Sequence, residues 1–287
     1  MHASGVGKIL WGARRVGRTT AQRLDGWPPA APLDPLASGV LVVCLGPATR
    51  LIDKVQEMPK RYRGVFLLGR TSDSEDIEGI VTERVDAAAP DRAAVERAAA
   101  QMVGVIEQRP PAFSAIKVAG RRAYKLARRG EQPKLKPRSV TIHSLEIVAY
   151  DYPRLTLDIR CGSGTYVRSL GRDLAERLET GAVMSELTRT EIGDFHIQDS
   201  WALDGLTGDN LPGQLLSPLR AIPGLPVVKL GAAQVQRLVN GQTVALDLEG
   251  EQPDALAAVD QHGRLAALLS RRGDHLYAPE RVLTPVG

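Results

Sequence analysis

The chain has 287 residues, enough for two domains and for a sizeable hydrophobic core without disulfide support. Hydrophobic residues make up 43% and charged residues 24%, and the net charge is +4, so the composition is that of an ordinary globular protein. No secretory signal pattern and no bilayer-length apolar run is visible, so we expect a soluble, cytoplasmic protein with no membrane contact. Cys44 and Cys161 lie far apart in apolar surroundings, which indicates buried thiols rather than a metal or disulfide site.

The hydrophobic periodicity defines most of the secondary structure. It predicts, in chain order, strands at Lys8–Trp11 and Val40–Leu45, a helix at Ala48–Met58, a strand at Tyr62–Leu68, helices at Asp91–Met102 and Gly120–Arg129, strands at Val140–Tyr150 and Leu155–Arg160, and a helix at Gly164–Leu178. Strands adjoin in sequence and alternate only irregularly with helices. This order favours an α+β fold over a doubly wound parallel sheet.

The C-terminal part of the chain has a different pattern. A stretch rich in glycine and proline, Leu219–Pro226, indicates a linker. Beyond it, apolar runs at Ala255–Val259 and Leu265–Leu269 are separated by a turn signal at His262-Gly263, which predicts a small, mostly β domain. We therefore expect two domains, residues 1–222 and residues 223–287.

Asp34 is the first candidate for chemistry. It precedes Pro35, which favours extended or turn geometry, and it lies just before the apolar run that starts at Val40. A carboxylate at the edge of a core can have its pKa set by desolvation and by a cationic partner. Taken alone, the segment favours an aspartate that merely stabilises a turn or caps a helix over a catalytic one.

Two further segments invite a ligand-binding interpretation. The acidic stretch Asp73–Gly79 lacks the glycine that an EF-hand loop needs at its sixth position, so calcium binding is not supported. The stretch Gly162–Arg168 lacks the lysine of a P-loop and the third glycine of a dinucleotide fingerprint. Arg168 falls in the first turn of the predicted helix, where the helix dipole disfavours a cation. A carboxylate partner, for which we choose Asp34, would explain it; a solvent-facing arginine is the alternative.

The histidines and the basic residues limit the remaining function classes. The five histidines form no HxxxH or HExxH pattern, and no Ser/His/Asp spacing supports a hydrolase. Between residues 117 and 138 there are nine basic side chains opposed by only one acidic residue, Glu131. Such a cluster is either a solvated face or a phosphate-binding surface, and the sequence alone leaves both open.

The ordered set of motifs resembles the TruB family of pseudouridine synthases. Leu33–Leu41 resembles the family's aspartate motif, and Lys60–Tyr62 with Ser72–Gly79 resembles its next block. The remaining matches, in order, are the thumb segment Pro110–Tyr124, the tyrosine-arginine motif Cys161–Leu170 and the closing block Gly181–Phe195. The agreement in order and spacing extends from about residue 33 to 195, which is more specific than any single motif.

The resemblance implies a fold and a set of site residues. It implies a catalytic domain with a mixed, mainly antiparallel sheet, followed by a small PUA-like β domain. Asp34 would act on a flipped uridine and Arg168 would pair with it. Tyr62 would stack on the base, Tyr166 would lie on the opposite side with a role in proton handling, and Leu187 would line the pocket.

The resemblance also implies a substrate. Family members convert the uridine at position 55 of the tRNA T-loop to pseudouridine, a redox-neutral isomerisation, so we expect no cofactor and no metal. The T-arm would be held by the thumb, residues 109–138, whose predicted RNA contacts are Lys117, Arg121, Arg122, Lys125, Arg128 and Arg129. We expect a monomer.

The N-terminal part departs from the family pattern. Arg14–Thr20 replaces a Lys-Pro-x-Gly-x-Thr-Ser segment, and Pro28–Pro32 replaces a Gly-His-x-Gly-x segment. The helix between them is shortened to Ala21–Leu24. Proline and alanine cannot copy the backbone geometry of the missing glycines. Two hypotheses follow: an active tRNA pseudouridine synthase, or a catalytically weak or inactive RNA-binding or tRNA-folding protein on the same scaffold.

Overall fold

The computed structural model describes residues 8–15, 34, 36–86, 88–114, 116–118, 120–127, 129–131, 135–202, 207 and 209–283. Several predictions concern residues outside these ranges. They are the segments 16–20 and 28–32, which depart from the family pattern, the short helix predicted at 21–24, and the basic residues Arg128 and Lys134. The description also omits the side chains of Lys117 and Arg122. Within the described ranges, no helix has the length and apolar character needed to cross a bilayer.

The main sheet has nine strands in the described part of the chain, ordered β13-β1-β2-β11-β3-β10-β9-β6, with β12 paired to β11. Its strands are β1 (Lys8–Arg15), β2 (Ala37–Leu45), β3 (Lys60–Leu68), β6 (Gly104–Gln108), β9 (Arg138–Asp151), β10 (Arg154–Cys161), β11 (Ala182–Ile192), β12 (Phe195–His196) and β13 (Trp201–Ala202). The pairs β1–β13 and β2–β11 are parallel and the others are antiparallel. The predicted mixed, mainly antiparallel sheet is confirmed.

Two short hairpins and the helices lie between the strands along the chain. The hairpins are β4 (Arg70–Ser72) with β5 (Val81–Glu83), and β7 (Lys117–Val118) with β8 (Arg121–Arg122). The helices are α1 (Ile52–Glu57), α2 (Arg92–Ala100), α3 (Ala123–Ala127), α4 (Val167–Arg177), α5 (Leu211–Gln214) and α6 (Ala232–Val239). Val95 of α2, Leu170 of α4 and Phe66 of β3 belong to one buried cluster, so α2 and α4 cover the same face of the sheet.

The C-terminal residues form a second sheet of five strands, ordered β14-β16-β17-β18-β15, in the described ranges. These strands are β14 (Val227–Lys229), β15 (Val244–Ala245), β16 (Ala255–Val259), β17 (Leu265–Gly273) and β18 (Leu276–Val282). The predicted strands at Ala255–Val259 and Leu265–Leu269 are confirmed, and with them the α+β fold with a small β-rich C-terminal part. One apolar cluster contains Val42 of the main sheet and Leu268 of the second sheet, so the two sheets share a core.

Three local predictions need correction. The helix expected over Ala48–Met58 is a 3-10 turn at Gly46–Leu51, with proline in its first turn, followed by the short α1. The basic helix expected over Gly120–Arg129 is the strand β8 followed by the single-turn α3, because the chain forms a hairpin with β7 at this point. The helix expected from Gly164 begins only at Val167, and Gly164 itself has a positive φ of 82°.

The stretch interpreted as a linker, Leu219–Pro226, is packed rather than extended. Residues Pro218–Ala221 form a 3-10 turn, and Ala221 and Ile222 are buried in the cluster shared by the two sheets. Pro223, Gly224 and Pro226 are exposed, whereas Leu219 and Leu225 pack against that cluster. The connection between the two sheets is therefore a fixed part of the core.

Candidate active site

Asp34 lies in a turn immediately before β2. Its backbone carbonyl accepts a hydrogen bond from the Ala37 amide at 2.9 Å, and its Oδ1 accepts one from the Leu36 amide at 3.2 Å. These bonds fix the carboxylate relative to the strand. The side chain stays 19% exposed, so a ligand can reach a carboxylate that is otherwise surrounded by protein. The turn interpretation and the catalytic interpretation of Asp34 are therefore compatible.

Gly39 sets the direction in which the chain leaves this turn. It has a φ of +110° and pairs in parallel register with Arg189 of β11. A Cβ at this position would lie 2.1 Å from the Arg189 carbonyl oxygen, which is part of the neighbouring strand and cannot move away. Only glycine allows β2 and β11 to approach so closely, and this approach places the Asp34 turn close to β11.

We expect Gly39→Ala to lower the free energy of unfolding by about 3 kcal/mol or more, because it combines an unfavourable φ with a backbone clash. Gly104→Ala is the matched control, since Gly104 has the same φ of +110° but nothing within 4 Å of its added Cβ. The control should lose only about 1 kcal/mol, the cost of the backbone conformation. Urea denaturation of both variants measures the difference, and equal losses would contradict the clash.

Arg168 is buried in the first turn of α4 and is held by four oxygen atoms. Its Nε lies 2.9 Å from Asp34 Oδ2 in a close ion pair, although the N–H is not aligned for a hydrogen bond. Its Nη1 donates to the Ser74 carbonyl at 2.9 Å and to Asp76 Oδ2 at 3.1 Å. Its Nη2 donates to the Phe113 carbonyl at 3.2 Å. The pairing of Arg168 with Asp34 inferred from the helix position is present, and the solvent-facing alternative is wrong.

Asp76 supplies a second carboxylate to the same guanidinium. It lies in the connection between β4 and β5, and its Oδ1 accepts hydrogen bonds from the Ser74 hydroxyl at 2.6 Å and the Glu78 amide at 3.0 Å. The connection is fastened to β11 because Met184 exchanges backbone hydrogen bonds with Glu75 and Ile77. The acidic segment assessed for calcium thus serves to hold an arginine.

The electrostatic balance raises the pKa of Asp34 above its ordinary value of 3.8. Burial is the largest cause and penalises the charged form, while the Arg168 guanidinium and the Leu36 amide oppose it. The nearby Asp76 charge adds to the increase. Asp34 is therefore a carboxylate under partial desolvation, with one cation holding it in place.

The Asp34 turn leads directly into the apolar core that includes the candidate residues Tyr62 and Leu187. Tyr62 on β3 and Leu36 pack against the buried cluster that contains Leu187 of β11. Burial raises the pKa of the Tyr62 phenol, the Arg189 guanidinium to which it is hydrogen-bonded opposes this increase, and the Asp34 charge adds to it. Tyr62 and Leu187 therefore lie on strands β3 and β11, which pair with each other, and Leu187 is the register partner of Ala37, three residues after Asp34.

Tyr166 immediately precedes α4, two residues before Arg168. Its backbone is extended, with φ −95° and ψ 110°, and its ring is half-buried. The guanidinium carbon of Arg138 lies 4.6 Å from the ring centroid, a cation–π distance. The tyrosine is thus fixed by its neighbours at the start of the same helix that carries Arg168.

Comparison with known proteins gives the same assignment as the motifs. The sequence profile of the TruB family pseudouridylate synthase (N terminal domain) matches residues 30–167. The tRNA pseudouridine synthase B of Dehalococcoides mccartyi is 37% identical over 254 residues, covering 87% of this chain and 84% of that protein. The chain belongs to the TruB family of pseudouridine synthases.

Further relatives extend the TruB match to the C-terminal part. The tRNA pseudouridine synthase B of Thermobifida fusca is 37% identical over 271 residues, covering 92% of this chain and 87% of that protein. A chain in the structure of an H/ACA RNP bound to a substrate RNA containing 2'-deoxyuridine has a TM-score of 0.69 and 19% identity, covering 97% of this chain and 85% of that chain. At this identity the likeness concerns the fold.

The thumb of this TruB family member joins the site through its first residues. Phe113 contacts Arg168 through its carbonyl, and the Ala123 and Tyr124 amides donate to the carbonyls of Ile116 and Ser114, which closes the hairpin. Among the predicted RNA contacts with described side chains, Arg121, Lys125 and Arg129 are exposed. Their position suits an RNA contact, which remains a prediction.

Sequence reasoning missed Asp76 as the second partner of Arg168. The signal was available in principle, because a buried guanidinium has five N–H donors and a single carboxylate cannot satisfy them. Glu75 was missed as well: it has a positive φ of 64°, and its carboxylate accepts hydrogen bonds from the Ser169 hydroxyl at 2.7 Å and from the Arg172 guanidinium. Nothing in the local pattern of the TruB motifs distinguishes these acids from solvated ones.

Proposed function

We propose that this chain converts uridine to pseudouridine at position 55 in the T-loop of tRNA, with Asp34 as the catalytic residue. The observation that carries the proposal is the partly exposed Asp34 carboxylate, paired at 2.9 Å with a buried arginine. Membership of the TruB family gives the reaction class, and the curated relatives that are named tRNA pseudouridine synthase B support the choice of tRNA.

The reaction requires a group that handles the glycosidic bond at a fixed position. The bond between the ribose C1' and the uracil N1 breaks, the uracil rotates, and a new bond forms between C1' and C5. The proton on C5 is then lost to solvent and N1 takes up a proton, so the product is an isomer of the substrate. Atoms and electrons balance without an oxidant or reductant. Asp34 acts in its ionised form in this scheme, and Arg168 keeps that form charged and oriented.

The groups around Asp34 suit an extruded base. Tyr62 offers a ring on which the uracil stacks, and Leu187 contributes to the apolar wall beneath it. Tyr166 faces the base from the α4 side and takes part in proton handling. Extruding a base from its stack costs a few kcal/mol, and stacking and apolar contacts of this kind offset that cost.

We further propose that residues 1–222 form the catalytic domain and residues 223–287 a PUA-like RNA-binding domain. The thumb, residues 109–138, grips the T-arm through Lys117, Arg121, Arg122, Lys125, Arg128 and Arg129. The exposure of Arg121, Lys125 and Arg129 supports this assignment, as does the separate C-terminal sheet.

Product mapping on RNA tests the function directly. The purified chain is incubated with an unmodified tRNA transcript, and pseudouridine is mapped by carbodiimide treatment and primer extension. We expect one stop at position 55 and none when that uridine is replaced by cytidine. Tight binding of the transcript without any pseudouridine would instead favour the RNA-binding protein on the same scaffold.

The thumb contacts predict a salt dependence. We expect the triple variant Arg121→Gln, Lys125→Gln, Arg129→Gln to bind tRNA more weakly at low salt and to reduce the slope of log Kd against log salt by about 2, since each phosphate contact contributes roughly 0.7 to 0.9. Filter binding at several salt concentrations measures this slope. The control replaces Arg63, Arg97 and Arg160, which are exposed on β3, α2 and β10, outside the thumb. Equal slopes for the two triple variants would contradict the thumb assignment.

A further inference from the structure

Gln108 is a fully buried amide at the end of β6, with 0% of its surface exposed. Its Nε2 donates to the Tyr166 carbonyl at 3.1 Å and its Oε1 accepts from the Tyr166 amide at 2.8 Å. Gln108 is the donor in one bond and the acceptor in the other, and the two residues are 58 positions apart in the sequence. One hydrogen bond would allow the Tyr166 backbone to pivot, whereas two opposed bonds fix both its position and its orientation.

Arg138 contacts the same tyrosine from the other strand. Gln108 and Arg138 are register partners on the last rung of the β6–β9 pair, the rung from which the thumb extends. Arg138 stacks on the Tyr166 ring at 4.6 Å and donates a hydrogen bond to the Gly164 carbonyl. A single rung at the base of the thumb therefore holds the backbone of Tyr166 through one residue and its ring through the other.

The residues that follow Gln108 continue along α4. The Arg109 carbonyl accepts a hydrogen bond from Arg172 Nη2 at 2.8 Å, and the Phe113 carbonyl accepts one from Arg168 Nη2 at 3.2 Å. Arg168 and Arg172 are one helical turn apart. The first part of the thumb is thus hydrogen-bonded to α4 at two places, one of which is Arg168, the partner of Asp34, and Gln108 just before the thumb is bonded to Tyr166 just before α4.

We propose that Gln108 is a positioning residue for the reaction, which acts with Arg138 to hold Tyr166 in register with Asp34 and to connect it to the thumb. The inference rests on the proposed function, because Tyr166 takes part in proton handling there. α4 has no side-chain cap at its start, and the Gln108 amide takes over that task for the Tyr166 N–H. The rung formed by Gln108 and Arg138 therefore links the base of the thumb directly to the tyrosine.

The test replaces Gln108 by leucine, which has a similar size but makes neither hydrogen bond. We expect the single-turnover rate of pseudouridine formation on an unmodified tRNA transcript to fall roughly 10- to 100-fold, since a displacement of about 1 Å can cost that much. The Kd for tRNA should change less than about threefold, because no RNA-binding side chain is altered. Ile106→Ala is the matched control: it lies on the same strand and packs against the same core, but no hydrogen bond joins its side chain to Tyr166.

A second pair of variants separates positioning from a general loss of structure. In a Tyr166→Leu background both Gln108 bonds to the backbone of residue 166 can still form, but the phenol that they position is absent, so Gln108→Leu should have little further effect on the rate. Arg138→Leu keeps the two Gln108 bonds and removes the ring contact together with the hydrogen bond to the Gly164 carbonyl, so it should slow the reaction even where Gln108→Leu fails to fold.

Four results would contradict parts of this proposal. A rate for Gln108→Leu equal to that of Ile106→Ala, or fully multiplicative effects of Gln108→Leu and Tyr166→Leu, would overturn the positioning role while the unmodified chain remains active. If Gln108→Leu does not fold, an unchanged rate for Arg138→Leu overturns it. An unmodified chain that forms no pseudouridine on tRNA would overturn the proposed function itself, and the positioning role with it.

Discussion

Asp34→Asn should abolish pseudouridine formation while leaving the fold and RNA binding intact. The amide keeps the size of the carboxylate, and its oxygen can still accept the Leu36 amide hydrogen bond. It cannot act as a nucleophile or a base, so we expect the single-turnover rate to fall by at least about 10³-fold. Tritium release from 5-tritiated uridine in a tRNA transcript measures the rate, and native gel shift measures the binding.

Asp34→Asn should not destabilise the folded protein at neutral pH. Because the folded state raises the pKa of Asp34, the ionised carboxylate costs folding free energy at pH values above that pKa, and this cost disappears as pH falls through it. The neutral asparagine avoids the cost, and Arg168 retains Asp76 and two carbonyl oxygens. Asp34→Asn should therefore be at least as stable as the unmodified chain at pH 7.

Asp91→Asn is the matched control, because Asp91 caps α2 through its side chain and asparagine caps equally well. It should retain full activity. An Asp34→Asn protein with more than a few per cent of the normal rate would contradict the catalytic assignment, and a large loss of stability would contradict the electrostatic account.

The sequence alone predicts those parts of the molecule that depend on local pattern. The apolar run at Val40–Leu45 gives β2, and the tyrosine and apolar residues at Tyr62–Leu68 give most of β3. The Arg168–Asp34 pair follows from a cation placed where the helix dipole disfavours it. The two strands follow from residues that are neighbours in the sequence. The ion pair follows because a cation at the start of a helix is unfavourable unless a carboxylate lies beside it.

The remaining contacts of the site depend on the order of strands in the sheet. Asp76 reaches Arg168 across 92 residues, and Gln108 reaches Tyr166 across 58, because β11 and α4 lie beside segments that are distant in sequence. A glutamine at the end of a strand has no distinctive signature. The helix predicted over Gly120–Arg129 was wrong for its first residues, because Arg121 and Arg122 form β8. Two adjacent basic residues are compatible with a helix and with a strand, so the local pattern could not distinguish the two.

Arg168→Lys should slow the reaction strongly, although lysine retains the positive charge. Lysine has one ammonium group, whereas the guanidinium spans the four oxygens of Asp34, Ser74, Asp76 and Phe113. We expect a loss of roughly 2–4 kcal/mol in unfolding free energy, because buried polar groups lose their partners. The single-turnover rate should fall by about 10²-fold, since the Asp34 carboxylate is no longer oriented.

The pH dependence distinguishes loss of charge from loss of orientation. Arg168 opposes the raised pKa of Asp34, so Arg168→Met should raise that pKa further and move the acid limb of the pH–rate profile to higher pH. Arg168→Lys keeps a positive charge and should move the limb less, although its rate is low throughout.

Arg61→Lys provides the comparison for both variants. Arg61 forms an ion pair with the buried Asp158 at 2.7 Å on the same sheet, but the Arg61 side chain is 42% exposed to solvent screening, so the pair contributes about 1 kcal/mol. A normal rate for Arg168→Lys, or an unchanged acid limb for Arg168→Met, would show that Asp34 does not depend on the guanidinium. We expect instead that the buried Arg168 has two separable effects on Asp34. The geometry of its guanidinium group orients the carboxylate, and its positive charge keeps the carboxylate ionised.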